Sequence, residues 1–138
     1  MTLLMRAVRR LLPVAALLLS ALPAAAFAPD RLAEALDAVA KRDWDTAQAK
    51  ARAAGTPVAA DIVEWHRLRA GLGDWSAYTD FLRRNPDWPG LDLMRRRAEG
   101  AMPGSLPADQ VRAFFSQDLP QTGRGVLLYA NALPAQAA

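Results

Sequence analysis

The chain has 138 residues, with 17 Lys+Arg against 14 Asp+Glu and no Cys. Three of the basic residues, Arg6, Arg9 and Arg10, stand in an N-terminal leader; the other 14 match the 14 acidic residues and leave no global field toward nucleic acid or acidic membranes. Without Cys there are no disulfides and no thiolate metal sites, so a domain of this size must hold itself together by apolar burial.

The leader reads as an export signal. The arginines form a positive start, Leu11 to Leu22 is an apolar run, and Ala24-Ala25-Ala26 and Ala26-Phe27-Ala28 offer small residues for cleavage. The run falls short of the roughly 20 residues a bilayer requires and Pro23 ends it, so cleavage is the reading preferred over a stable membrane anchor. No Cys follows for lipid attachment. Residues 1–28 are thus expected to be a signal peptide, and 29–138 the exported module.

Beyond it, short helical patterns alternate with Pro and Gly. Asp30 can cap a first helix with Leu32, Ala35, Leu36, Val39 and Ala40 in one stripe. Asp43-Trp44 turns the chain into an Ala-rich second helix that stops at Gly55-Thr56-Pro57. A third, from Val58 to about Leu72, is apolar over more than half its girth (Val58, Ile62, Trp65, Leu72) and is expected to be covered on both flanks. Asp74 starts a fourth with Trp75, Tyr78, Phe81 and Leu82 inward, and Asn85-Pro86 ends it. Pro89 suits the first turn of a fifth, striped by Leu91, Met94, Ala98 and Met102. Pro107 opens a sixth with Val111, Phe114 and Phe115; Thr122 caps a seventh with Val126, Leu127, Ala130 and Leu133 inward.

Three Asp-Trp pairs, Asp43-Trp44, Asp74-Trp75 and Asp87-Trp88, fall where one helix gives way to the next, the first two 31 residues apart. That is about one helix-turn-helix unit of an α-solenoid. The expected fold is all-α: a right-handed superhelix of short antiparallel helix pairs, tetratricopeptide-like, with about seven helices. Trp44, Trp75 and Trp88, with Pro86 and Pro89, read as structural posts at the junctions.

Candidates for chemistry are few. His66 is the sole histidine, on an apolar face, and reads as a core or groove-lining imidazole rather than a general base. The carboxylate pairs Asp43/Asp45 and Asp61/Glu64 read as capping or solvated groups before acid–base pairs. Arg95-Arg96-Arg97 is flanked by Asp92 and Glu99 at helical spacing, so intrahelical pairing is expected to cancel much of its charge. Arg95, Arg96, Trp65 and His66 are the candidates for a ligand surface, since an indole face can stack on a sugar. No catalytic, metal or cofactor-binding residue is assigned.

The run Phe81-Leu82-Arg83-Arg84-Asn85-Pro86-Asp87-Trp88-Pro89-Gly90, followed by Leu93-Met94-Arg95-Arg96-Arg97-Ala98-Glu99, resembles a segment of the soluble lytic murein transglycosylases. So do Val111-x-x-Phe114-Phe115, Pro120-x-Thr122-x-x-Gly125 and the helix ending Tyr129-Ala130-x-Ala132-Leu133. The resemblance covers about residues 30 to 135. It implies the beginning of a long superhelical, U- or ring-shaped domain in the periplasm of a Gram-negative bacterium. There the scaffold holds peptidoglycan glycan strands for a C-terminal lysozyme-like domain, which cleaves the MurNAc–GlcNAc bond to a 1,6-anhydro product. The catalytic Glu of that domain is followed by Ser; here Glu34, Glu64 and Glu99 precede Ala35, Trp65 and Gly100. The expectation is a scaffold piece, inactive by itself, whose partners are glycan strands and the missing catalytic domain. The alternative is a free-standing tetratricopeptide-like adaptor that binds a protein partner.

Overall fold

The computed structural model describes residues 27–134, which form seven α-helices and no strand. They are α1 (Pro29–Ala40), α2 (Trp44–Ala53), α3 (Pro57–Arg69), α4 (Trp75–Arg84), α5 (Leu91–Ala101), α6 (Ala108–Phe114) and α7 (Gly123–Ala132). The apolar run Leu11–Leu22 and the residues up to Ala26 lie outside the described residues. None of the described helices is long and apolar enough to cross a membrane.

Three helices begin on a side-chain cap. Asp43 accepts the Thr46 N–H at 3.2 Å, Asp74 the Ala77 N–H at 2.8 Å, and Thr122 Oγ1 the Gly125 N–H at 3.0 Å. Each satisfies a backbone donor that has no partner inside its helix. Asp30 does not cap α1: Ala28 takes that position, Pro29 opens the helix, and Asp30 lies in the first turn, facing the positive end of the helix dipole. Pro89 likewise stays outside α5. The helix starts at Leu91 after Gly90, whose φ of 74° is a left-handed conformation open to glycine.

The helices pack in chain order: α1 on α2, α2 on α3, α4 on α5, α6 on α7. In addition α1, α3, α5 and α7 form a continuous row of neighbours, and α2, α4 and α6 sit against it. Three cores lie along the row. The first joins α1, α2 and α3 through Ala35, Ala38, Ala47, Ala51, Ala54, Ala59 and Val63, methyl surfaces that let the backbones come close. Leu36 and Ala40, expected in this stripe, are exposed, and Ala38 is buried with Ala35 instead. The second core holds Leu68, Tyr78, Phe81, Met94 and Ala98, and the Tyr78 hydroxyl donates to the Leu68 carbonyl at 3.1 Å. The third holds Met102, Val111, Phe115 and Ala132. Trp75 and Phe114, with ring centroids 4.8 Å apart, join the second core to the third.

α7 is fastened by a buried carboxylate. Glu99 is 1% exposed and accepts from Gln121 N–H at 2.9 Å, Thr122 N–H at 2.7 Å and Thr122 Oγ1 at 2.6 Å. Gly125 makes room for it: a Cβ there would stand 2.8 Å from Glu99 Cδ. Glu99 therefore does not pair with Arg95 along the helix as its spacing suggested. The inward face of α7 is Gly125, Leu128, Tyr129 and Ala132, not the expected stripe; Val126 and Leu127 are 55% and 61% exposed, and Ala130 and Leu133 are open too. With Gly125 required over Glu99, the helix is turned so that Leu128 and Tyr129 pack on the third core and Val126 and Leu127 face out.

Glu99→Gln would point an amide N–H₂ at those donors. It should cost about 2–3 kcal/mol in chemical denaturation and speed amide exchange in α7, whereas Arg96→Ala on the exposed face should change stability by less than about 0.5 kcal/mol. Equal effects would contradict the anchor.

Candidate functional site

One face of α3 is turned away from the cores. Ala59, Val63 and Leu68 are its buried residues, which leaves Val58, Ile62, Trp65 and His66, at i, i+4, i+7 and i+8, on another side. The turn between α4 and α5 faces them with Asp87, Trp88 and Pro89. Between the two runs an open groove of about 490 Å³. Val58 is 55% exposed at one end of it, and Ile62, Trp65 and Trp88 are half-buried in its walls. The expectation that α3 is covered on both flanks fails here, because this side of the helix opens onto the groove and leaves Val58 exposed.

The turn is tied to α3 directly. The Trp65 indole N–H donates to the Pro89 carbonyl at 2.9 Å, and the Arg69 guanidinium lies 4.5 Å over the Trp65 ring. The His66 ring meets Trp65 edge-on, centroids 4.8 Å apart. Trp88 packs edge-on against buried Phe81 at 5.4 Å, so it is tied to the second core while still walling the groove.

Burial, and then the nearby charge of Arg69, hold the His66 imidazole below its ordinary range, so at neutral pH it is an uncharged ring with one donor and one acceptor nitrogen. Asp87 supplies the groove's formal charge. The site thus offers two indoles, aliphatic walls, a neutral imidazole and one carboxylate. Such a surface can hold an apolar or C–H-rich face and orient it by a few polar contacts.

Of the four ligand-surface candidates, Trp65 and His66 lie together here. Arg95 lies in the neighbouring cavity of about 530 Å³, which shares Asp87 and Trp88 as its wall. Its guanidinium donates to the Phe114 carbonyl at 3.1 Å, pairs with Asp118 at 3.0 Å and stacks on Phe114. The partner expected for it, Asp92, is replaced by one from beyond α6. Arg96 belongs to neither cavity and donates to Gln121 Oε1 at 3.1 Å. The sequence reading overlooked Asp87 and Ile62 as groove walls and Glu99 as an anchor; the signals were the Asp-Trp-Pro run opposite an i, i+4, i+7 apolar face, and Thr122-x-x-Gly125.

Three of the four paired carboxylates are engaged elsewhere, and Asp45 lies exposed in the first turn of α2. Glu64 binds Arg67 through two bonds of 2.7 and 2.8 Å, Asp61 pairs with Arg84, and Asp43 caps α2. Among the described residues no three His, Asp or Glu come together as metal ligands would.

Because the chain has a single histidine, its titration can be followed without overlap. His66 should titrate below 6.5, and Arg69→Gln should move it upward while burial keeps it under that value. Its folded-state pKa is depressed, so the stability it contributes is present above the unfolded value and lost as pH falls through the folded one. A nuclear magnetic resonance midpoint at or above 6.5 would contradict the burial.

No family model, curated protein or solved structure matches this chain, which leaves the groove's own chemistry to indicate what it holds.

Proposed function

We propose that this chain is a binding scaffold, a superhelical module of the lytic-transglycosylase type that helps shape a ring around peptidoglycan glycan strands. The observation that carries the proposal is a division of labour among the side chains. Asp43, Asp61, Glu64 and Glu99 are spent on caps, ion pairs and an anchor, while the Trp65–Trp88 groove stays open to solvent. A surface built that way holds a ligand and leaves bond cleavage to another domain. The row α1–α3–α5–α7 supports the superhelical reading, since helix-pair repeats stack each unit on the next. The resemblance of residues 81–99 and 111–133 to that enzyme family supplies the substrate class. The matching location is the periplasm of a Gram-negative bacterium.

A second reading, a free-standing adaptor for a protein partner, draws on the outward apolar stripe of α7, Val126, Leu127 and Leu133. Such a stripe suits a protein surface better than a sugar.

Sedimentation with purified peptidoglycan sacculi separates the two. The chain should be retained and release no soluble 1,6-anhydro product, and Val58→Asp in the open groove should abolish retention with helicity unchanged. Retention that survives Val58→Asp but is lost with Leu127→Asp would overturn the groove reading, and release of 1,6-anhydro product would overturn the scaffold reading.

A further inference from the structure

A different flank of α3 faces a second cavity. Pro57, Ala60, Asp61 and Glu64, at i, i+3, i+4 and i+7, line it from that helix. Gln48 and Arg52, one turn apart on α2, and Arg84 at the end of α4 complete a space of about 320 Å³. None of these residues belongs to the Trp65–Trp88 groove. The charges around the cavity do not close on themselves. Arg84 binds Asp61 through one nitrogen and one oxygen, and Glu64 is held by Arg67 through both of its oxygens. Arg52 is left over: among the described residues neither its guanidinium nor the Gln48 amide has a side-chain hydrogen bond or ion pair. Asp61 keeps its second oxygen, Oδ2, unengaged on a side chain that is only 18% exposed. The wall thus presents one uncompensated cation, one amide that can give and accept, and one half-buried carboxylate oxygen.

Their spacing follows from the helix pairing. α2 and α3 are joined by three residues and pack side by side, so they run antiparallel. Arg52, in the last turn of α2, therefore stands level with the first turn of α3. From Pro57 to Asp61 is about 6 Å along the axis, at 1.5 Å per residue. Two residues of extended peptide span up to about 7 Å. A chain end with its carboxylate at Arg52 would bring its amide groups against Asp61 and Gln48. A planar guanidinium matches a carboxylate in charge and in shape, and the bonds between them are among the strong ones.

We propose that this cavity is a second binding site, one that takes the C-terminal end of a peptide. Arg52 holds the free carboxylate, Asp61 accepts a backbone N–H, and the Gln48 amide donates to the adjoining carbonyl. The site does not depend on the glycan reading of the groove.

N-acetyl-dialanine, in either mirror form, and its C-terminal amide provide the test, since only the first carries a free carboxylate. Each is titrated into the purified chain while backbone amide shifts are followed by nuclear magnetic resonance. The acid should shift the Gln48, Ala60 and Asp61 amides saturably, and the amide form should bind at least about tenfold more weakly, as loss of a hydrogen bond to a charged group predicts. Arg52→Gln should weaken the acid by a similar factor. Arg83→Gln, which removes an equal charge from the exposed side of α4, should leave it unchanged. Arg52 is itself exposed, so its replacement leaves the cores intact, and circular dichroism of each variant checks the helices. Equal binding of acid and amide, an equal loss with Arg83→Gln, or no saturable shift at any soluble concentration would overturn the proposal. Acetate binding as tightly as the dipeptide would overturn it too, because the cavity would then recognise a carboxylate and no peptide.

Discussion

A single hydrogen bond, from the Trp65 indole N–H to the Pro89 carbonyl, ties the turn between α4 and α5 to the middle of α3. The turn is stiff by composition, since Pro86 and Pro89 fix two backbone angles and Gly90 takes the left-handed conformation that starts α5. Arg69 reinforces the tie by lying across the Trp65 ring and against Gly90, where a Cβ would collide with its guanidinium. With the turn held there, Trp88 packs against Phe81, α5 lies beside α3, and the two cavities share Asp87 and Trp88 as a wall. The clamp thus sets the candidate site directly beside the second core.

Neighbouring parts of the molecule solve a different problem. The first core has little apolar volume per residue, and α1, α2 and α3 gain from close approach of alanine faces. The third core closes over α7 with Met102, Val111, Phe115 and Ala132, while polar fasteners fix the helix in place. Beside Glu99, Arg124 donates to the Met102 carbonyl at 2.7 Å and Arg112 to the Ala132 carbonyl at 2.6 Å. These bonds hold α7 with its outer apolar stripe uncovered, which is why burial of that stripe is not what orients the helix.

Features set by the nearest few residues were legible in the sequence. Asp43, Asp74 and Thr122 start helices because a short oxygen-bearing side chain reaches an N–H three residues on, and helix breaks fall near the expected Pro and Gly, though Pro89 lies just ahead of α5 and Asp30 does not cap α1. Features set across the fold were not. Leu36, Val58 and Val126 look inward by periodicity, yet which apolar stripe is covered depends on the size and placement of partners far along the chain. Arg95 has acidic neighbours at helical spacing but takes Asp118, 23 residues on, because that pairing also lets it stack on Phe114. The groove was half visible: Trp65 and His66 stood out by type, while Asp87 and Ile62 became walls through the clamp.

The clamp itself can be tested by Trp65→Phe, which keeps an aromatic ring over α3 and removes the N–H. If the bond to Pro89 holds the turn, the variant should lose about 1 kcal/mol of stability, and the Trp88 and Leu91 amides should exchange faster with solvent while those of α1 and α2 do not change. Unaltered exchange at Trp88 and Leu91, with wild-type stability, would show that the turn holds its position without Trp65.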